Sequence, residues 1–110
     1  MTTEKDIQTA IIKALRPYAK VYNITTGVFK VKNPGGSYRW ISTFPKGTPD
    51  LMGFRYEDGR AFFIEVKKPG GRLSKEQIDF AEWVKTTEAL YGVAKTAQEA
   101  LHIIGVETLF

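Results

Sequence analysis

Apolar residues recur at Ile7, Ala10, Ile11, Ala14 and Leu15, the spacing of one face of a helix. Thr3 stands before that run with Asp6 three positions on, so a helix is predicted from an N-cap at Thr3 to about Leu15, closed by Pro17. A second helix is predicted from Ser74, where Ser74 and Gln77 form a capping box and Leu73 with Ile78 a hydrophobic staple. It runs to about Thr86 and turns Ile78, Ala81 and Val84 inward. Elsewhere the pattern is that of strands. Val28 to Lys32 and Tyr38 to Thr43 flank the turn-forming Asn33-Pro34-Gly35-Gly36-Ser37, a loop tip within reach of a ligand. Leu51 to Tyr56 and Arg60 to Lys67 flank Asp58-Gly59, and Leu90 to Lys95 reads as a last strand. Thr96 and Glu99 form a second capping box, opening a short helix that Gly105 ends. The reading is one domain, residues 1–110, of α/β class: helix, three antiparallel strands, helix, strand, helix, with a mixed sheet.

Asp-Gly favours a two-residue hairpin turn. With Asp58 and Gly59 as that turn, Glu57 pairs with Arg60, Asp50 falls opposite Lys67, and Met52 falls opposite Glu65. Side chains alternate along a strand, so Asp50, Glu65 and Lys67 share one face while Leu51, Phe62, Ile64 and Val66 build a core on the other. A three-residue turn would move Asp50 to the wrong face. Two carboxylates and an ammonium on one face suit metal-dependent phosphodiester cleavage: the acids hold a hard divalent cation, and the Lys orients water or offsets developing charge.

Blander readings stand beside this one. Glu-x-Lys on a strand is commonly a pair of solvated neighbours, and an Asp after Pro49 is an ordinary turn residue. Glu4 falls on the inward stripe of the first helix, where it either meets the site or simply favours the helix N-terminus. Gln77 is accounted for by its cap, yet the same turn lies near the end of the Glu65–Lys67 strand. Tyr38 and Trp40 either pack in a core or stack on a base.

The ordered set of Glu4, Gly47-x-Pro49-Asp50, Glu65-Val66-Lys67 and Leu73-Ser74-x-x-Gln77 resembles the VRR-NUC domain of the PD-(D/E)xK nuclease superfamily. The resemblance covers nearly the whole chain, although no Val-Arg-Arg triplet is present. It implies a restriction-endonuclease-like αβββαβ core with a mixed central sheet flanked by helices. It also implies a Mg2+- or Mn2+-dependent endonuclease acting on DNA, with stand-alone members able to cut branched DNA such as four-way junctions. On this resemblance Asp50, Glu65 and the Val66 carbonyl hold the metal, Lys67 is the catalytic lysine, and Glu4 and Gln77 support the site. A homodimer would bring two such sites to two strands.

Composition agrees. The chain carries 16 Lys and Arg against 12 Asp and Glu, a formal charge of +4, which favours a polyanionic partner. Lys30, Lys32, Arg39, Lys46, Lys68, Arg72 and Lys75 lie in or beside turns flanking the site, either as DNA contacts or as a solvated rim. Among them Arg39, Lys46, Lys68, Arg72 and Lys75 are the candidates for holding DNA. The absence of Cys removes disulfides, thiolate zinc sites and a Cys nucleophile. No secretory signal or membrane-length apolar run is present, so a cytoplasmic protein without membrane contact is expected. His102 reads as a polar residue near a helix C-terminus. Two alternatives remain: a non-cleaving DNA clamp of the same fold, and a small interaction protein whose acids are solvated.

Overall fold

In the computed structural model, which describes residues 2–107, the chain forms three helices and six strands. They are α1 (Glu4–Leu15), β1 (Ala19–Asn23), β2 (Val28–Lys32), β3 (Tyr38–Ser42), β4 (Leu51–Arg55), β5 (Ala61–Val66), α2 (Lys75–Val84), β6 (Leu90–Ala94) and α3 (Ala97–Ile103). The terminal Leu109-Phe110, apolar in the sequence, lies outside the described residues.

A mixed sheet of order β1-β4-β5-β6 forms the centre, antiparallel except for the parallel β5–β6 pair. The alternation of β5 divides its two faces. Phe62, Ile64 and Val66 are buried with Leu51 against Ile7, Ile11 and Leu15 of α1 and Ala100 and Ile104 beside α3. That layer is the main core, and each large side chain in it contributes on the order of 1.5–3 kcal/mol by leaving water. On the other face Phe63 meets Phe80 of α2 edge-on at 5.1 Å, and Phe80 meets Trp83 at 5.5 Å. The helices begin where the caps predict, with reciprocal boxes at Thr3–Asp6 and Ser74–Gln77. At α3 the Thr96 hydroxyl accepts from the Glu99 N–H, but the Glu99 carboxylate takes the Lys95 N–H at 2.7 Å rather than that of Thr96.

Three expectations need correction. The strand β1 went unread because its alternation is short: only Ala19 and Val21 turn to the core, between exposed Lys20 and Tyr22. The β2–β3 pair joins no other strand and stands off the sheet as a separate ribbon. Ile78 is 46 % exposed, so the inward face of α2 is carried by Ala81 and Val84.

The fourth correction is to the hairpin register. Leu51 faces Ile64 and Met52 faces Phe63, two positions away from the expected pairing. The loop has four residues, 56–59: the Arg55 N–H donates to the Arg60 carbonyl at 3.0 Å and the Gly59 N–H to the Arg55 carbonyl at 2.8 Å. A two-residue type I′ turn needs positive φ at both central residues. Among the described residues no non-glycine has positive φ, and only Gly59, at +72°, adopts it here. Asp58 is occupied otherwise. Its carboxylate accepts the Arg60 N–H at 2.9 Å and pairs with the Arg55 guanidinium, which reaches on to the Ile104 carbonyl at 3.1 Å. These bonds hold the Asp58 carboxyl down at about 2. A two-position shift preserves strand parity, so the predicted faces survive the wrong turn.

Candidate active site

Continuing the β4–β5 register one residue outward sets Asp50 across from Glu65, a more direct juxtaposition than the sequence suggested. The Asp50 Oδ2 accepts the Val66 N–H at 2.8 Å, which fixes its carboxylate at the strand end. The approach to Asp50 is shaped by Gly47, whose φ is +97°. A Cβ on Gly47 would stand 2.6 Å from the Glu76 carbonyl oxygen, so the loop lies directly on the first turn of α2. Pro49 is then fully buried and delivers Asp50 to the sheet. Gly47→Ala is expected to cost on the order of 2 kcal/mol, lowering the melting temperature by roughly 10 °C in a thermal scan.

Glu65 is 1 % exposed, the one buried charged side chain among the described residues. The Gln77 Nε2 donates to its Oε1 at 3.0 Å, while the Gln77 Oε1 accepts the Ser74 N–H at 2.8 Å. Gln77 therefore serves both the cap and the site. The other oxygen, Glu65 Oε2, is buried with no donor from the protein. Burial pushes the Glu65 carboxyl up to about 9; the neighbouring Asp50 adds to this, Glu4 adds a smaller push, and Lys67 opposes it. Two ionised carboxylates have no proton to share, so in the absence of a cation Glu65 and Asp50 hydrogen-bond only through a proton held between them.

Asp50, Glu65, Lys67, Arg72, Ser74 and Gln77 line one cleft of about 380 Å³, together with Lys46, Gly47 and Thr48 from the preceding loop. Glu4 is exposed in the first turn of α1 and is not in the cleft lining, so it bears on Glu65 only through its charge. Of the candidate DNA contacts, Lys46 and Arg72 line the cleft. Lys46 also pairs with Glu76 at 3.8 Å, and Lys75 pairs with Asp79 at 3.1 Å. Lys68 is exposed just beyond β5, and Arg39 lies out on the ribbon. His102 is exposed in the last turn of α3.

Tyr91 is the site neighbour that the sequence did not disclose. It pairs with Phe63 across β5 and β6, and its buried hydroxyl has no partner. Burial, then Glu65 and Asp50, raise its phenol to about 12. Within Leu-Tyr-Gly-Val-Ala it reads as a core strand residue; only the parallel register brings it beside the acids.

A buried carboxylate with an orphaned oxygen, a second carboxylate across from it and an ammonium thus share one cleft. Residues 3–98 match the family model of the VRR-NUC domain, and the chain belongs to that family. It is a nuclease-type domain whose substrate is DNA. No curated protein matches the chain. Among the described residues no helix is long and apolar enough to cross a membrane.

The site chemistry fits a hard divalent cation. Glu65 Oε2 and the Asp50 carboxylate offer hard oxygen ligands of the kind Mg2+ and Mn2+ prefer, with Glu65 giving up its proton as a cation enters. No group of three or more His, Cys, Asp or Glu that could hold a metal occurs among the described residues. The family resemblance adds the Val66 carbonyl as a third protein oxygen, with solvent filling the remainder.

Proposed function

We propose that this chain is a Mg2+- or Mn2+-dependent endodeoxyribonuclease, with Asp50, Glu65 and the Val66 carbonyl holding the cation. The observation that carries the reading is the donorless, buried Glu65 Oε2 facing Asp50. Such a group costs stability unless a cation or proton neutralises it. When bound, the cation supplies Lewis acidity at the phosphate and a lowered pKa for water. Lys67 projects into the same cleft, where its ammonium orients the attacking water or offsets charge on the phosphoryl oxygens. Gln77 holds Glu65 in place by its hydrogen bond, and Glu4 adds negative potential from the helix above. Lys46 and Arg72 hold the phosphates flanking the scissile bond, with Lys68, Lys75 and Arg39 further out.

The substrate we propose is branched DNA such as a four-way junction, cut by a homodimer that brings one site to each of two strands. Four-way junction, flap and linear duplex DNA incubated with Mg2+ or with EDTA test this. Junction cleavage in Mg2+ alone, with two strands nicked, is the expected result. Binding without cleavage in any divalent metal would instead make the domain a clamp.

A further inference from the structure

The β2–β3 ribbon carries an unexplained chemistry. Residues 24–49 contain Lys30, Lys32, Arg39 and Lys46 and no Asp or Glu, leaving twelve basic and twelve acidic residues elsewhere. The whole net charge of +4 therefore resides in this segment. No other element packs substantially against the ribbon, and the molecule is drawn out to 56 × 36 × 28 Å with a radius of gyration of 15.7 Å. A compact domain of this length would have a radius near 13 Å. Two-stranded ribbons are marginal alone in water, so a partner surface is expected to cover this one.

The register sorts its side chains. Lys30 faces Trp40 and Lys32 faces Tyr38, which puts both aromatics and both ammoniums on one face. Trp40 is 70 % exposed and Tyr38 57 %. The Lys30 Nζ lies 4.4 Å from the centre of the Tyr38 ring. Phe29, Val31, Ile41 and Arg39 occupy the opposite face. At its base the ribbon joins the cleft directly: Ile24, Thr26 and Lys46 belong to the cleft lining, and Thr26 bridges to Phe44.

We infer that the Lys30, Lys32, Tyr38 and Trp40 face is a platform for unpaired nucleotides of the DNA whose phosphate enters the cleft. This rests on the nuclease reading for its substrate. Exposed aromatic planes beside ammoniums suit base stacking with backbone neutralisation. They lack the bidentate amide or guanidinium groups that read base edges in a duplex groove. Tyr38 and Trp40 are two residues apart, about 7 Å along the strand, so each ring takes its own base of an unstacked strand. The platform would select DNA with a single-stranded arm or opened branch at the cut.

Anisotropy of a fluorescein-labelled oligothymidylate, measured in EDTA, tests the platform without cleavage. Trp40→Thr and Tyr38→Thr keep strand-favouring residues at exposed positions; unchanged circular dichroism will verify the fold. Each substitution is expected to weaken oligothymidylate binding about 10-fold and the pair about 100-fold, with a blunt duplex of equal length affected under about 3-fold. In a Trp83→Phe protein, added oligothymidylate should quench Trp40 emission. Unchanged affinity in the double variant overturns the inference, as does an equal loss on duplex. Trp40 emission that follows protein concentration without DNA also overturns it, assigning the face to a second copy. The nuclease reading is judged separately, by Mg2+-dependent cleavage: a protein that cuts no DNA yet binds the oligothymidylate through Tyr38 and Trp40 sinks that reading alone.

Discussion

Asp50→Asn is expected to abolish DNA cleavage, and Lys67→Ala to slow it by about 10²- to 10³-fold, the usual loss when one charge-stabilising group is removed. Both should leave the fold intact. An Asn side chain keeps an oxygen for the Val66 N–H that Asp50 now accepts, while removing one of the two proposed anionic ligands. Lys67 is half-buried at the end of β5 and contributes no large apolar area to the core. Single-turnover rates in Mg2+, beside DNA affinity in EDTA, separate chemistry from binding. Either variant cutting at the parental rate would remove that residue from the proposed reaction.

Glu65→Gln is expected to stabilise the metal-free protein while destroying its function. The folded carboxyl is pushed up to about 9 from an ordinary value of 4.5. The folded state therefore holds a proton that the unfolded chain releases between those two pH values. Stability is greatest below about pH 4.5 and falls as pH rises to about 9. At pH 7 the accumulated cost is on the order of 3 kcal/mol. A neutral amide escapes it, and its oxygen can still accept from Gln77. In EDTA the variant should melt above the parent at pH 7, with the gap closing toward pH 4.5. Mg2+ should raise the parent's melting temperature and flatten its pH dependence, and do neither for the variant. A variant that melts below the parent at pH 7 would contradict this account. Retaining a destabilising acid where chemistry needs it is the ordinary trade between stability and activity.

Much of the site was legible because parity is a robust property of strands. The expected turn at Asp58-Gly59 is wrong by two residues, yet Asp50, Glu65 and Lys67 still line one cleft. What failed was chemistry specific to a side chain: Asp58 prefers to accept from Arg60 and Arg55 over adopting positive φ. The capping boxes at Thr3 and Ser74 were readable because their partners sit three residues apart. Tyr91 was not, since its nearness to Glu65 arises from a parallel pairing across the α2 crossover. Nor was the isolation of the ribbon: a strand that alternates aromatic and basic residues looks the same whether or not a sheet receives it. The role of Gly47 needed the position of α2 before its missing Cβ acquired a reason.

Calorimetric titration of the purified protein with Mn2+, without DNA, bears most directly on the central proposition. Saturable uptake that is lost in both Asp50→Asn and Glu65→Gln is the predicted result. Uptake by either variant with parental affinity, or none by the parent, would show that these two acids do not form a cation site.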